Sequence, residues 1–343
     1  MKRLTIKEIA QNLNLSIGTV SKALNDSYEI SDKTKKLVLD YVASINYVPN
    51  ILAKNLITGK SNIIAVIVPF ISSSFFFEIY EAISQKFMRT SYKLILLQTF
   101  NDEQRETEAL ELCIRNNIDG IIISPVRNQS NLELMKGIQQ KYCPIIIFDR
   151  VNHDLDTYKI GVHNCDVVHQ STQLLINKGK KNIVLLLCKN IGDNENRIAG
   201  YKTALEFYGM EINPQNIVEI SYGSPLDDIS EELIEKLSPL LKQKNPIDAI
   251  LSTTDTLSLK ILYTLHQLNV EIPEQVAVMG FSNTPFAESL NPPLTTINQP
   301  TEEISARVFE LMMDAVNHPK AHQEQQYDKI LLNCKVNFRK SSG

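Results

Sequence analysis

The sequence predicts two kinds of fold in one chain: a small helical head, and an α/β body with two doubly wound parallel sheets. From residue 61 onward, short continuous apolar runs alternate with helix-length amphipathic stretches. The first 56 residues instead contain three short helical patterns. A chain of 343 residues is also too long for one ordinary hydrophobic core. We therefore expect two or three domains.

Eight apolar runs in the body predict strands of a parallel sheet. Strands buried on both faces are continuously apolar rather than alternating. Eight strands over some 280 residues suggest two sheets, and hence two lobes with a cleft between them. The runs are Ile63–Pro69, Lys93–Gln98, Gly120–Ser124, Ile145–Phe148, Ile183–Cys188, Ile217–Ser221, Ala249–Ser252 and Val276–Phe281.

Amphipathic stretches between these runs predict the helices that cover the sheets. Strict alternation of strand and helix is typical of α/β folds. The stretches are Phe75–Arg89, Glu103–Asn116, Asp166–Lys178, Arg197–Tyr208, Leu226–Lys242 and Thr256–Leu268.

The head begins with the signals of two short helices. Thr5 and Glu8 form a capping-box pattern, which predicts a first helix over about 6–12. Ser16 is a good N-cap for a second helix, Ile17 to about Leu24. Ser31 or Asp32 caps a third, whose apolar stripe is Leu37, Val38, Tyr41, Val42 and Ile45.

Two helices joined by a short turn and braced by a third form a helix-turn-helix, whose second helix enters the DNA major groove. Its exposed N-terminal end could reach base edges: Lys22 could donate to guanine, Ile17 could contact a thymine methyl, and Gly18 permits close approach. The alternative is a small helical bundle that binds nothing. The charge favours DNA, because residues 1–60 hold nine Lys or Arg and five acids, while the rest holds 26 and 34.

Other features exclude several protein classes. Neither an export signal nor an apolar run of about 18 residues is present, so we expect a cytoplasmic protein that does not contact membranes. The five scattered cysteines favour buried thiols over disulfides or a zinc site. Walker, dinucleotide-binding, nucleophile-elbow and zincin motifs are missing. We expect no catalytic residues, metal or cofactor.

The head resembles that of the lactose-repressor (LacI) family of bacterial transcription regulators. The resemblance lies in Thr5-Ile6-x-x-Ile9-Ala10, Ser16-x-x-Thr19-Val20-Ser21-x-x-Leu24-Asn25 and Asn46-Tyr47-x-Pro49-Asn50-x-x-Ala53-x-x-Leu56. It implies a DNA-binding domain over residues 1–48 and a hinge helix over 49–60 that folds on DNA. Leu56 would wedge into the minor groove, and Ala53 would permit close approach. The implied DNA-binding residues are Thr5, Ser16, Ile17, Gly18, Thr19, Ser21, Lys22, Asn25, Asn50, Ala53, Lys54 and Leu56.

The body resembles the periplasmic-sugar-binding-like effector domain of the same family. Examples are Asn117-Ile118-Asp119-Gly120, Phe148-Asp149-Arg150, Arg197-Ile198-Ala199-Gly200-Tyr201 and Pro292-Pro293-Leu294-Thr295-Thr296. The resemblance implies an effector-binding and dimerisation domain over 61–343. One lobe would comprise about 61–161 and 293–322, and the other about 162–292 and 323–340. The chain would cross near Gly161–Asn164, near Asn291–Thr295 and near 320–328, and a final strand near Ile330–Phe338 would close the fold.

The resemblance places a sugar-like effector in the cleft. Asp149 suits sugar hydroxyls, and the planar fork of Arg197 suits hydroxyls or a carboxylate. Ser72-Ser73-Ser74-Phe75-Phe76 matches a family loop usually written with Asn-Pro before two aromatic residues, one of which can stack on a sugar. The structural alternatives are a surface carboxylate paired with Arg150 and a helix-start arginine paired with an acid. The implied effector set is Ser73, Phe75, Phe76, Asp149, Arg197, Thr254, Asp255 and Ser282.

Three positions depart from the family pattern. Thr254 precedes Asp255 where Asn is usual, Ser282 replaces Asp, and His163 stands where Asp is common. Thr254 and Ser282 are shorter and neutral. We therefore expect an effector that is smaller or more acidic than a neutral hexose, such as a sugar acid or sugar phosphate.

A single head makes few base contacts, so we expect a homodimer on a palindromic operator. The outer helix near Phe75–Arg89, with Phe87 and Met88, is a candidate interface. Leucine heptads do not follow the last strand, which argues against a tetramer. Effector binding would change lobe closure and thereby the pairing of the two hinges. Two alternatives stay open: a stand-alone sugar-binding protein of a transport system, which would need an export signal and no basic head, and a regulator that uses a protein co-effector.

Overall fold

The computed structural model describes residues 5–45, 47, 60–189, 192–221, 227–319 and 326–343. The chain forms two compact units, Met1–Ser61 and Asn62–Gly343. The four hinge residues named above, Asn50, Ala53, Lys54 and Leu56, lie outside the described residues.

The described part of the first unit contains three helices: α1 (Ile6–Asn12), α2 (Ile17–Leu24) and α3 (Asp32–Ser44). The capping box is present, since the Thr5 hydroxyl accepts from the Glu8 amide and the Glu8 carboxylate accepts from the Thr5 amide. The Ser16 hydroxyl accepts from the amide of Thr19 at 3.0 Å, so α2 also begins where predicted.

Helix α3 is capped by Ser31 rather than Asp32. Its apolar stripe is narrower than predicted. Val38 is fully buried against α1 and α2, with Tyr41, Val42 and Ile45 packed around it. Leu37 is 50% exposed and does not belong to the core, because α1 and α2 cover only one side of α3.

The first lobe of the second unit contains a six-stranded sheet in the order β11-β5-β4-β3-β1-β2. All neighbouring strands are parallel. This order is doubly wound, with its crossover between β3 and β1. The strands are β1 (Ile63–Val68), β2 (Lys93–Gln98), β3 (Gly120–Ile123), β4 (Ile145–Phe148), β5 (Lys159–Val162) and β11 (Lys329–Leu332).

The second lobe contains a matching sheet in the order β12-β10-β9-β8-β6-β7. Its strands are parallel except β12, which runs antiparallel to β10. The fold class predicted from the sequence, a helical head and two doubly wound lobes, is confirmed. The strands are β6 (Ile183–Cys188), β7 (Ile217–Ile220), β8 (Ala249–Ser252), β9 (Ala277–Phe281), β10 (Thr295–Asn298) and β12 (Lys335–Asn337).

Helices cover both faces of each sheet. In the first lobe, α4 and α11 pack on one face and α5 and α6 on the other. In the second lobe, α9 and α10 cover one face and α7 and α8 the other. The helices are α4 (Ser74–Phe87), α5 (Glu103–Arg115), α6 (Leu132–Lys141), α7 (Asn164–Asn177), α8 (Asn194–Phe207), α9 (Ser230–Lys242), α10 (Asp255–Gln267) and α11 (Thr301–Asn317).

Two of the three predicted crossings between lobes are displaced. Strand β10 pairs with β9 of the second lobe, so the chain crosses after Asn298 and not near Asn291–Thr295. Strand β11 pairs with β5 of the first lobe, so the last crossing falls between Leu332 and Lys335 and not near 320–328. The expected single final strand is two strands in two sheets. Each short strand pairs where a sheet edge is open.

Of the two residues proposed for a dimer interface on the outer helix, only Met88 is exposed. Phe87 is 1% exposed and packs inside the first lobe against Tyr92 and Phe309, so it cannot form an interface. Met88, the next residue, is 77% exposed.

None of the helices in the described part of the chain has the length and apolar character of a membrane span.

Candidate functional site

The two lobes enclose a small cleft lined by loops that follow the carboxyl ends of strands. The space that the centre of a water molecule can reach is about 60 Å³. Ligands of open α/β sheets bind at this edge. All eight predicted effector residues line the cleft, together with seven others. The lining is Pro69, Phe70, Ser73, Phe75, Phe76, Asp149, Arg150, Gly192, Arg197, Thr253, Thr254, Asp255, Thr256, Ser282 and Gln299.

Asp149 follows β4 and lies in the first lobe's wall of the cleft. Its backbone is left-handed, with φ 65°, and its side chain is 15% exposed. The Ser124 hydroxyl donates to Oδ2 at 3.3 Å, and Arg150 Nε lies 4.0 Å from the same oxygen. Burial raises the pKa of Asp149, although Arg150 and Arg197 oppose the shift. The surface-carboxylate alternative therefore does not describe this residue.

Arg197 faces Asp149 from the second lobe, in the first turn of α8. It is 5% exposed. Its Nε donates to Asn164 Oδ1 at 3.0 Å and its Nη1 to the Thr253 carbonyl at 3.2 Å, while the guanidinium lies 4.7 Å from the centre of the Phe281 ring. Burial lowers its pKa, and Asp149 is the strongest opposing charge. The hydrogen bonds fix the guanidinium plane while leaving Nη2 available.

Arg150 is a cleft residue that sequence reasoning treated only as a partner for Asp149. It is 8% exposed. Nη1 donates to the carbonyls of Pro125 and Val126 at 2.9 and 2.7 Å, and Nη2 to Asn101 Oδ1 at 2.7 Å. Its Nε has no hydrogen-bond partner among the described residues. A buried donor of this kind costs about 1–3 kcal/mol when unsatisfied, so a hydrogen bond from Nε to a ligand that reached it would recover that cost.

Asp255 begins α10 in the second lobe and reaches across the cleft. Oδ2 accepts from the Ser74 amide at 2.9 Å and also from the Ser74 hydroxyl. Oδ1 accepts from the Thr256 amide at 2.8 Å. The carboxylate is therefore occupied by protein donors, unlike that of Asp149.

The neutral residues that depart from the family pattern have partners of their own. The Thr254 hydroxyl accepts from the Leu257 amide and so caps α10. The Ser282 hydroxyl donates to Gln299 Oε1 at 2.8 Å. Gln299, which the sequence reasoning missed, is 4% exposed and follows β10. The third departure, His163, precedes α7 and does not line the cleft.

Aromatic side chains form the apolar wall. Phe75 and Phe76 begin α4 and pack edge to face, and Phe76 packs on Phe148 at a centroid distance of 6.0 Å. Phe70, which was not predicted, adjoins them, and Ser73 precedes the helix as its N-cap without a side-chain capping bond.

Charges that line the cleft balance. Asp149 and Asp255 oppose Arg150 and Arg197, and Asp193 and Glu78 interact with these groups from just outside the lining. A balanced site gives no electrostatic support to the expectation of an acidic effector. Among the described residues, no group of three or more His, Cys, Asp or Glu could hold a metal ion.

In the first unit, the predicted DNA-reading residues from Ser16 to Asn25 lie in α2 and its two caps, and Thr5 caps α1. Val20 and Ala23 face the core, whereas Ile17 is 48% exposed, and Thr5, Ser16, Gly18, Lys22 and Asn25 are also exposed. Thr19 and Ser21 are half-buried. Lys22 Nζ pairs with the Glu29 carboxylate, a partner that the sequence reasoning did not identify.

Comparison with known families covers both units. Residues 5–50 match the model for bacterial regulatory proteins of the lacI family, and residues 61–338 match the model for periplasmic binding proteins and the sugar binding domain of the LacI family. The chain belongs to the LacI family. It is a DNA-binding transcriptional regulator with an effector-binding body.

Individual relatives align along most or nearly all of the chain. The ribose operon repressor of Haemophilus influenzae is 27% identical over 342 residues, 98% of each chain. The lac repressor dimer bound to operator and an anti-inducer superposes with a TM-score of 0.81 at 19% identity over 99% of both chains, which shows the shared fold. A LacI-type regulator from Alkaliphilus metalliredigens complexed with D-xylulofuranose is 25% identical, with a TM-score of 0.70 over 82% of this chain and 98% of that one.

Proposed function

We propose that this LacI-family regulator is a homodimeric repressor whose effector is a neutral monosaccharide bound between the lobes. One observation carries the choice of ligand. Arg150 Nε, a buried donor without a partner among the described residues, lies 4.0 Å from Asp149 Oδ2, a buried acceptor. One hydroxyl oxygen about 2.8 Å from each atom would span that gap, accepting from the arginine and donating to the carboxylate.

The same geometry disfavours an acidic ligand at this point. A ligand carboxylate can accept from Arg150, but beside Asp149 one of the two carboxyl groups would have to be protonated, a requirement that a neutral hydroxyl does not impose. The enclosed space is small, which favours a monosaccharide over a larger sugar. Ribose and D-xylulofuranose, named for a relative and for a related complex, are both neutral pentoses. They support this class of effector, which we propose in place of the sugar acid or sugar phosphate expected from the sequence.

Arg197 and Asp149 hold opposite walls of the cleft, so a sugar that touches both would favour the closed arrangement of the lobes. We propose that closure alters how the hinges over residues 49–60 pair, and that Leu56 enters the minor groove only when they pair. The exposed side of α2 would read a palindromic operator. Lys22 and Ile17 would contact base edges, with Asn50, Ala53 and Lys54 near the backbone or minor groove. Such a protein works where the DNA is, in the cytoplasm.

The effector proposal is tested by thermal-shift screening of the full chain against neutral pentoses and hexoses, sugar acids, sugar phosphates and nucleobases. A ligand at about 100 times its Kd adds roughly 2.7 kcal/mol to stability. We expect a neutral monosaccharide to stabilise the wild type, and Asp149→Asn to abolish the shift. Asp166→Asn, the same change on an exposed helix site, serves as the control. Stabilisation only by acids or phosphates would refute the proposal, as would undiminished binding to Asp149→Asn.

DNA reading is tested separately. An operator selected from random duplexes should be a palindrome. Leu56→Ala should weaken operator binding and leave effector binding intact, and Lys22→Ala should change base preference rather than only the salt dependence. An unaltered operator affinity for Leu56→Ala would contradict the wedge assignment.

A further inference from the structure

We propose that Asp255 is an inter-lobe latch that holds the cleft closed before any effector binds. The carboxylate begins α10 in the second lobe, yet Oδ2 accepts both the amide and the hydroxyl of Ser74 in the first lobe. Ser74 and Asp255 are 181 residues apart in sequence and sit on different sheets' helices. The contact therefore exists only while the lobes are together.

The position of the carboxylate favours a strong contact. It lies between two helix N-termini, because Ser74 is the first residue of α4 and Thr256, which donates its amide to Oδ1, is in the first turn of α10. Both helix dipoles favour a negative charge there. Asp255 is 6% exposed, so solvent screens the contact little.

Occupancy of the acceptors separates Asp255 from Asp149. Both oxygens of Asp255 accept from protein donors, and a third, longer contact comes from the Thr256 hydroxyl at 3.4 Å. Oδ2 is fully occupied by the two Ser74 donors, so an effector hydroxyl could reach this carboxylate only at Oδ1. Among the described residues, Asp149 has one weak hydroxyl donor, at 3.3 Å, and can accept others.

A second polar contact joins the lobes on another side of the cleft. Asn152 of the first lobe donates to Asp193 Oδ1 of the second at 3.1 Å. Asn152 Oδ1 in turn accepts from Lys329 at 2.9 Å. In this contact one neutral amide donates to a carboxylate, whereas in the latch two donors share one buried carboxylate oxygen. We therefore expect the latch to stabilise the closed arrangement more than this contact does.

Serine at position 74 is what supplies both donors. The family loop that this segment resembles has proline directly before its two aromatic residues, and proline has neither an N–H nor a hydroxyl. A loop with proline at this position could not form the latch. The same fact provides a mild variant, because proline is well tolerated at the first position of a helix.

The test measures lobe separation without effector or DNA, so its failure is distinct from failure of the proposed function. Tyr142 in the first lobe and Tyr263 in the second are 60% and 56% exposed. Replacing both with a ketone-bearing phenylalanine analogue allows spin labelling that leaves the native cysteines unmodified. Double electron–electron resonance then reports the inter-lobe distance, with excess unlabelled protein added to dilute distances between subunits.

We expect one short distance for the wild type and for Ser74→Thr, which keeps both donors. Ser74→Pro and Asp255→Asn should populate a longer distance, with the open-to-closed ratio raised about tenfold or more, since hydrogen bonds to charged groups typically have that effect on an equilibrium. Wild-type distances in both variants would overturn the latch. So would opening in Ser74→Pro with Asp255→Asn unchanged, because the carboxylate would then play no part. Circular dichroism spectra matching the wild type check that each variant is folded.

Discussion

Adding one methyl group at Gly200 should destabilise the protein, although the same change in an open helix stabilises it. Gly200 lies in α8 at its contact with α7. A Cβ there would be 2.1 Å from the Cys165 carbonyl oxygen, about 1.3 Å closer than the 3.4 Å at which ordinary contact begins. The obstruction is backbone, which cannot rotate away. Forced overpacking costs about 3 kcal/mol at the upper end of its usual range, and alanine returns about 1 kcal/mol of helix propensity.

The expected net loss for Gly200→Ala is therefore about 2 kcal/mol of unfolding free energy. Urea unfolding of the full chain, followed by circular dichroism, measures it. Gly137→Ala is the matched control, because Gly137 is inside α6 and a Cβ there meets nothing within 4 Å. That variant should gain about 0.5–1 kcal/mol. A neutral or stabilised Gly200→Ala beside a stabilised Gly137→Ala would refute the close-contact argument. Since α8 also carries Arg197, effector binding should weaken in Gly200→Ala alone.

Three further outcomes follow from the electrostatics and capping. Burial raises the pKa of Asp149 above its unfolded value of 3.8, so the folded state holds that proton more tightly, and wild-type stability falls as pH rises through the folded pKa. The unfolding free energy of Asp149→Asn relative to wild type should therefore rise between pH 4.5 and 7. An equal difference at the two pH values would contradict this. Glu29→Gln should free Lys22 from its ion pair and remove a negative charge beside the DNA. Operator affinity should rise and its salt slope should steepen by about one counterion; an unchanged slope is the contrary result. Ser16→Ala should cost the head about 1 kcal/mol through loss of the α2 cap, whereas Ser16→Asp should keep the cap and repel DNA; equal stability of the two variants would argue against the cap.

Eight strands were predictable because the buried parallel strands are unbroken apolar runs, and nine of the eleven described helices were predictable from capping signals and amphipathic patterns. The strands that escaped prediction have other compositions. Strand β5 is only Lys-Ile-Gly-Val, and β10 is Thr-Thr-Ile-Asn, although Thr295 and Thr296 are fully buried. Strands β11 and β12 are separated by two residues, so they read as one element. Sequence patterns show periodicity but not which of two sheets a short edge strand joins.

The candidate site was predictable to the extent that it follows the ends of strands. Asp149 and Ser282 come directly after β4 and β9, and such positions converge at one edge of a sheet. Local sequence does not show which groups form hydrogen bonds with one another across the cleft. Arg150 is defined by carbonyls from a separate loop, and Asp255 by a serine 181 residues away. These partners decide which charged groups are available to a ligand.

That distribution of partners also constrains how the switch can work. A ligand shifts an equilibrium only through groups that it contacts differently in the two states. Asp149, Arg150 Nε and Arg197 Nη2 have capacity to spare and can therefore couple sugar binding to closure. Asp255 Oδ2 has none, because Ser74 occupies it, so this contact sets the closed fraction that exists before any sugar binds. Because apparent affinity scales with the fraction of protein that is competent to bind, opening the latch should weaken effector binding by the same factor by which it lowers the closed population, without altering a single contact to the sugar.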